Sequence, residues 1–231
     1  MLTSILQSIR NRLDGAGLWL APLGLRLLLA YEFFSAGQQK LGAGLGEAPG
    51  WFANQNFPIP FGLLPADMNW MLVTLGELVA GLALLFGLFT RFFAFVLLII
   101  TTVAIAAVHW PESWASLGQL WEGYSVSRVM DDGEFRGNFR IPLLFLAMLL
   151  PLLFSGPGKL SLDHLIVHLT GNQKLQETTT DTTAFALAAL IFAVITFWLI
   201  PTWGIVLTLV AIALFIRARM SSQPDSNGKD G

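Results

Sequence analysis

Long apolar runs separated by short polar segments dominate the pattern of this chain. The runs lie at about residues 19–41, 68–89, 92–109, 139–155 and 184–216. About 20 apolar residues in a helix cross the ~30 Å hydrocarbon core of a bilayer. The last run would measure ~50 Å as one helix, and Pro201 and Gly204 interrupt it, so it predicts a hairpin of two helices. The pattern therefore predicts an all-α polytopic membrane helix bundle with six spans.

The polar segments divide the chain into five predicted parts. Residues 1–18 carry apolar side chains at helical spacing (Ile5, Leu6, Ile9 and Leu13) and predict a short helix at the membrane interface. In the loop before the fourth span, Trp110, Trp114, Leu117 and Trp121 follow the same spacing and predict a second interfacial helix. The parts are the N-terminal helix 1–18, a four-span core 19–155, a cytoplasmic connector 156–183, the C-terminal hairpin 184–216 and a disordered tail 217–231.

Composition and charge support a membrane protein and exclude several other classes. Only 12% of the 231 residues are charged, against roughly 25% in a typical soluble domain. The chain has no cysteine, which excludes disulfides, thiol redox chemistry and Cys-ligated metal centres. A net charge of -2 without a basic stripe gives no indication of nucleic-acid binding. Most basic residues fall on one side if both termini are cytoplasmic, as the positive-inside rule requires.

Two predicted spans contain a lone carboxylate, Glu32 in the first and Glu77 in the second. A charged side chain at the bilayer centre costs at least ~2.5–3.5 kcal/mol, so such residues usually face protein, water or a counter-ion. At 1.5 Å per residue, both carboxylates lie ~18 Å from the cytoplasmic edge. Lys40 and His109 lie at ~30 Å and ~27 Å, near the outer rim. Arg26 lies in the first span as well, so these five residues form the predicted intramembrane polar site.

Small residues in the second span predict a close helix–helix seam beside Glu77. The seam residues are Gly76, Ala80, Gly81, Ala83 and Gly87. Three interpretations of the polar site stay open. Arg26 pairs with one carboxylate, or a protonated carboxyl bonds across helices; a small molecule such as a quinone head group binds there; or the pair lies on a proton or substrate path. The sequence assigns no catalytic residue.

His164 and His168 are four residues apart, so they share one face if that segment is helical. With Asp163 beside them they are candidate metal ligands, although two imidazoles without a certain third ligand more often mark a surface helix.

The order of several motifs resembles the DoxX family of small bacterial inner-membrane proteins. The motifs begin at Arg26 (RLLLAYEFFSAGQQK), Leu75 (LGELVAG), Gly87 (GLFTR) and Gly156 (GPGKLSLDH), and they cover about residues 20–169. The resemblance implies a four-helix core in the inner membrane. It also marks Arg26, Lys40, Glu77, Gly81, Gly87 and Arg91 as positions of the family pattern.

Within the family, the segments FPIPF, VHWP and SGPGKLSLDH are most similar to the HvfX-type branch, which is linked to maturation of copper-binding modified peptides. The resemblance implies a non-catalytic accessory subunit that binds a protein partner in the membrane or periplasm. Other members are associated with quinone-linked redox complexes, so a quinone-linked oxidoreductase subunit is the alternative, with a small transporter accessory third. Quinone and copper are the implied cofactors, and a homo-oligomer stays open.

Overall fold

The computed structural model describes residues 2–111, 114–125, 138–172 and 178–221. These residues form helices joined by turns and short loops, and no strand occurs among them. The helices are α1 Leu2–Gly42, α2 Gly50–Ala53, α3 Ala66–Phe86, α4 Thr90–Ala104, α5 Leu117–Ser125, α6 Arg140–Ser155, α7 Leu162–Thr170, α8 Thr182–Leu199 and α9 Pro201–Ser221. A π-helical turn, Ile105–His109, continues α4, and a 3-10 turn covers Phe61–Leu63.

Five of the described helices are long and apolar enough to cross a membrane. They are the segments Thr3–Gly42, Ala66–Phe86, Thr90–His109, Thr182–Leu199 and Pro201–Ser221. The apolar helix α6 is shorter, at 16 residues. The predicted all-α polytopic membrane helix bundle is confirmed.

The chain divides into two compact units, Met1–Gln173 and Lys174–Gly231. In the first unit α1 packs on α3 and α6, and α4 also packs on α3 and α6, so these four helices form a closed ring of contacts. Their shared core is apolar, with Leu29, Leu84, Leu97 and Leu149 fully buried. In the second unit α8 and α9 pack on each other, joined through Ile200.

The segment predicted as an N-terminal interfacial helix is continuous with the first span in the structure. Residues 2–18 are the first turns of α1, which continues through Gly15, Gly17 and Pro22 without a break. A glycine in a helix interior costs only roughly 0.5–1 kcal/mol relative to alanine, so good helix formers on both sides keep the helix intact.

Two further predicted boundaries are wrong. Helix α9 continues to Ser221, so residues 217–221 are helical rather than part of a tail; Arg217 and Arg219 there favour a helix C-terminus electrostatically. Residues 222–231 of that tail lie outside the described residues. Helix α5 begins only at Leu117, and Trp110 has extended backbone (ψ 137°) because the following Pro111 disfavours a helical conformation.

The segment between α1 and α3 folds onto the beginning of α3. Phe52 and Trp70 are buried with ring centroids 5.0 Å apart, and Phe57 packs on Phe52 at 4.8 Å. The indole N–H of Trp70 donates to the Gly44 carbonyl at 2.7 Å, and Asp67 Oδ1 accepts from the Ala48 amide at 2.8 Å. These contacts hold the aromatic segment against the bundle.

Candidate functional site

The predicted polar residues Lys40 and Glu77 are in direct contact. Lys40, at the end of α1, donates from Nζ to Glu77 Oε2 on α3 at 2.6 Å. The Glu77 side chain is 8% exposed and that of Lys40 is 21% exposed. Each charge therefore has an opposite charge as its partner, which is the usual arrangement for ionisable groups inside a membrane protein.

Close packing of α1 on α3 fixes which residues meet. A Cβ added at Gly37 would lie 2.8 Å from Leu78 Cγ, and one at Gly81 would lie 2.9 Å from the Phe34 nitrogen. The two helices are antiparallel, so this register brings Lys40 to the level of Glu77. The two glycines permit the short interhelical distance, as small residues do at membrane helix interfaces.

Glu32 lies away from this pair. Its side chain is exposed on α1, whereas its neighbour Phe33 is buried in the core. The equal depths estimated for Glu32 and Glu77 assumed untilted helices that start at the same level, and the observed register pairs Glu77 with the residue two turns further along α1. The structure therefore does not bring the two carboxylates together.

A cleft of about 830 Å³ runs between α3 and α4, and the ion pair lies about midway along it, because Gly76 beside Glu77 faces Ile100 of α4. The walls are Val79, Val96, Ile99 and other apolar or aromatic side chains of α3 and α4. The lining extends along α4 from Phe92 to His109, which corresponds to ~25 Å of helix. The cleft is thus long, and its walls are apolar over most of its length.

Four polar side chains line this cleft, and they lie between its middle and the end at His109. They are Lys40 at the end of α1, Asn69 in the first turn of α3, Glu77 at the middle of α3, and His109 after the end of α4. The aromatic segment contributes Trp51, Phe52, Phe57 and Phe61 to the lining. We call this region the polar end of the cleft.

Two side chains at the polar end are held by hydrogen bonds to neighbouring residues, Asn69 to a backbone carbonyl and His109 to a side-chain amide. Asn69 Nδ2 donates to the Phe61 carbonyl at 2.9 Å, while Asn69 Oδ1 is buried without a hydrogen-bond partner among the described residues. His109 Nδ1 bonds to Asn138 Oδ1, and the Asn138 amide donates to the His109 carbonyl at 3.2 Å. His109 lies on the π-helical turn, an irregularity that frequently occurs at functional sites.

Arg26 lies at the opposite end of the core and contacts neither Glu32 nor Glu77. It is buried and donates to two backbone carbonyls, Leu160 and, at 3.5 Å, Leu84. Asp163 supplies an attractive charge nearby. Guanidinium groups bind carbonyl oxygens well, so Arg26 joins the end of α3 to the segment before α7.

Asp163 has a structural role at the same end. Its two carboxylate oxygens accept from the Phe89 amide at 2.7 Å and from the Thr90 amide at 2.9 Å, which caps the N-terminus of α4. Arg91 donates to the carbonyls of Leu153 and Phe154, both at 2.6 Å, and so bonds to the last turn of α6.

The residues of the predicted small-residue seam contact several neighbouring elements, among them α1 and α4, rather than a single helix. Gly81 faces α1, and a Cβ at Gly76 would lie 2.7 Å from Ile100 Cδ1 on α4. Ala80 and Ala83 are buried. Gly87 ends α3 in the left-handed conformation (φ 66°), beside Arg26 and Ser161.

His164 and His168 both lie on the short helix α7, at the spacing that places them on one face. No group of three His, Cys, Asp or Glu side chains suited to hold a metal ion occurs among the described residues. Metal binding by these two histidines stays a prediction.

Comparison with known proteins identifies the family. The sequence profile of the DoxX family matches residues 21–110. An uncharacterized protein of Haemophilus influenzae is 37% identical over 157 residues, which make up 67% of this chain and 89% of that protein. This chain belongs to the DoxX family. No solved structure matches it.

The family match covers most of α1, the aromatic segment, α3 and α4, which together form the polar end of the cleft in this DoxX protein. Sequence reasoning missed Asn69 and Asn138. A single amide near a helix end carries no recognisable pattern, so only its burial against the cleft distinguishes Asn69. The position of Asn69 next to Trp70, as an amide at the start of the apolar run 68–89, was the signal available.

Proposed function

We propose that this DoxX-family protein is an accessory membrane subunit whose cleft holds a neutral, lipid-soluble ligand with an oxygen-bearing ring as its head. Isoprenoid quinones are the ligand class that fits this description. The observation that carries the proposal is the apolar cleft of about 830 Å³ with its polar groups confined to one half, between the ion pair and His109. Ligand sites are typically apolar clefts of this size with a few placed polar groups.

The length of the cleft supports a ligand with a long tail. About 25 Å of α4 lines it, and the part near Phe92 and Phe93 offers only apolar surface. An isoprenoid or alkyl chain gains favourable burial there, roughly 0.8 kcal/mol per CH₂ removed from water. A compact polar ligand would leave most of this surface unused.

The charge of the polar end supports a neutral head. Lys40 is compensated by Glu77 at 2.6 Å, so the pair presents no net charge to a ligand. A phospholipid phosphate would have to compete with Glu77 for the ammonium group. A ring carbonyl or hydroxyl needs only a hydrogen bond from Lys40, Asn69 or His109, and the ion pair can stay intact.

The residues present would hold a quinone by its head at the polar end and by its tail along α3 and α4. A bound quinone supplies the capacity to take up two electrons and two protons. Lys40 can donate to a ring oxygen, and the aromatic side chains Trp51 and Phe57 can pack on the ring plane. The protein itself would orient the head and exclude water from it for a redox partner.

The experiment that tests the proposal measures quinone binding to purified protein in phosphatidylcholine nanodiscs. The probe is a ubiquinone with a ten-carbon tail. Val79→Trp fills the apolar wall of the cleft, whereas Leu82→Trp places the same side chain on an exposed part of α3 that does not line it. We expect saturable binding that V79W weakens at least about tenfold and L82W leaves within about twofold.

Absence of saturable binding to the wild type would refute the quinone site. Equal displacement of the probe by a phosphatidylglycerol of similar chain length would show a general lipid groove instead, and would refute it too.

We further propose an inner-membrane location with both termini cytoplasmic, as the distribution of basic residues indicates. In this orientation the polar end of the cleft faces the outer side of the membrane, within reach of a membrane or periplasmic partner. Reporter fusions after residues 47 and 172 would test it: we expect the first to be periplasmic and the second cytoplasmic. The opposite result would reverse the orientation.

Participation in the maturation of copper-binding modified peptides is the more specific form of the accessory role. Family membership and the HvfX-type segments support it. A copper titration of the wild type against the double variant His164→Ala/His168→Ala tests whether this chain itself binds the metal. Identical titrations would remove the two histidines from that role.

A further inference from the structure

We infer that the polar end of the cleft selects a head group that donates hydrogen bonds, so that it binds a hydroquinone more tightly than the corresponding quinone. This inference rests on the proposed function and adds the redox form of the ligand. Its basis is the difference between the donors and acceptors at the polar end that already have hydrogen-bond partners in the protein and those that do not.

Asn69 provides the first observation. Its Nδ2 must be the atom that faces the Phe61 carbonyl, because a carbonyl can only accept, and this fixes the orientation of the amide at 2.9 Å. The other atom, Oδ1, is an acceptor without a partner among the described residues. The residue is 6% exposed and lines the cleft. A buried acceptor of this kind is satisfied by a ligand that donates.

His109 provides the second observation, on another helix. Its Nδ1 faces Asn138 Oδ1, and with the amide in this orientation Nδ1 is the ring nitrogen that donates. In the neutral ring Nε2 is then an acceptor as well. His109 lines the cleft, whereas Asn138 does not, so the remaining ring nitrogen is the one available to a ligand.

Lys40 is a hydrogen-bond donor at the polar end, and its presence does not reverse the preference for hydroquinone over quinone. Each hydroxyl of a hydroquinone can donate to an acceptor such as Asn69 Oδ1 or His109 Nε2 and can also accept from a donor such as Lys40 Nζ, whereas a quinone carbonyl can only accept. A bound quinone would therefore leave Asn69 Oδ1 and His109 Nε2 without the hydrogen bonds that hydroquinone makes. One unmade hydrogen bond to a buried acceptor corresponds to about a tenfold loss of affinity.

The preference has a consequence for electron transfer. A site that binds the reduced form about tenfold more tightly raises the midpoint potential of the bound two-electron couple by about 30 mV. Quinone held in this cleft would be a stronger oxidant than quinone free in the bilayer. The site therefore suits a reaction in which a donor protein reduces the bound quinone.

The experiment compares three ligands with the same ten-carbon tail on the full chain in phosphatidylcholine nanodiscs, under anaerobic conditions. They are the quinone, the hydroquinone and the hydroquinone dimethyl ether, which keeps the ring and tail, is larger by two methyl groups and cannot donate. We expect the hydroquinone to bind at least about tenfold more tightly than the other two, since each acceptor that it satisfies contributes about tenfold. Equal affinities, or tighter binding of the quinone, would overturn the inference while leaving the proposed function in place.

Two variants test which residues cause the preference for hydroquinone. Asn69→Leu removes one acceptor and should reduce the preference for hydroquinone over quinone about tenfold, with little change in quinone affinity. His109→Phe tests the second acceptor independently, in case the first variant does not fold. Asn11→Leu, on an exposed turn of α1, is the matched control. An unchanged preference in a folded N69L and H109F would also overturn the inference, and failure of every ligand to bind the wild type would refute the proposed function itself.

Discussion

Lys40 Nζ and Glu77 Oε2 are 2.6 Å apart across the interface of α1 and α3, although 37 positions separate them in the chain. Each residue compensates a charge that would be costly to leave alone in the membrane. The pair also fixes the polar end of the cleft, because it joins the end of α1 to the α3 wall that the cleft shares with α4.

Replacing Glu77 by glutamine should destabilise the fold strongly, because Lys40 then remains without its counter-charge. Loss of one partner of a buried ion pair typically costs about 3–5 kcal/mol, and the partial exposure of Lys40 places the expected loss near about 3 kcal/mol. Reversible unfolding of the detergent-solubilised protein measures it. The control is Glu32→Gln on exposed α1, with an expected change below about 0.5 kcal/mol.

The double variant Lys40→Met/Glu77→Met should recover most of the stability lost in Glu77→Gln. Replacement of a buried ion pair by apolar side chains of similar size is often neutral. The same unfolding experiment decides this. If the double variant is as unstable as E77Q, the pair contributes through its hydrogen bond and packing rather than through charge compensation.

Gly87→Ala should destabilise the first unit by more than about 2 kcal/mol. The residue has φ 66°, where an L side chain costs roughly 1–2 kcal/mol, and an added Cβ would lie 2.6 Å from Ser161 Cβ. Gly15→Ala is the matched control, with nothing within 4 Å and a helical position in α1. There the same change should stabilise by about 0.5–1 kcal/mol. Similar effects of the two substitutions would contradict this account of Gly87.

Asp163→Ala should release the first turn of α4. It removes the acceptor of two backbone amides, Phe89 and Thr90, and a lost N-cap costs about 0.5–2 kcal/mol. Hydrogen exchange of peptides covering residues 86–95 measures the loss of protection. Asp181→Ala, which removes the cap on the Ala184 amide, should instead affect only the start of α8. Unchanged exchange near residue 90 would show that other contacts hold that turn.

Trp70→Phe should loosen the aromatic segment by about 1 kcal/mol, because phenylalanine keeps the ring contact with Phe52 but loses the 2.7 Å hydrogen bond to Gly44. Limited proteolysis between residues 42 and 65 measures this loosening. The exposed Trp203 allows the same substitution as a control, with no expected change in that segment.

The apolar runs were sufficient to predict the helical membrane fold, because the bilayer requires about 20 apolar residues in a helix for each span. Their boundaries were less accurate where local effects compete. Pro111 keeps Trp110 out of a helix, and α1 runs without a break through the boundary predicted between residues 18 and 19.

The polar residues of the site were recognisable by their rarity, but their partners were not. Burial in a membrane marks Arg26, Lys40 and Glu77 as unusual wherever they lie along a span. Which of them meet depends on the vertical offset of α1 against α3, and that offset is set by the contacts of Gly37 with Leu78 and of Gly81 with Phe34. Equal estimated depth therefore suggested Glu32 as the neighbour of Glu77, and the packed helices bring Lys40 there instead.

The sequence by itself determined the helical class, the membrane environment and the presence of costly charges within the spans, because each of these follows from local composition and periodicity. Only the tertiary structure decided that Lys40 compensates Glu77, that Arg26 bonds to backbone carbonyls, and that Asn69 and His109 line one end of an apolar cleft. These relationships depend on the offset and facing of packed helices, which side-chain contacts across the bundle fix and a single sequence does not record.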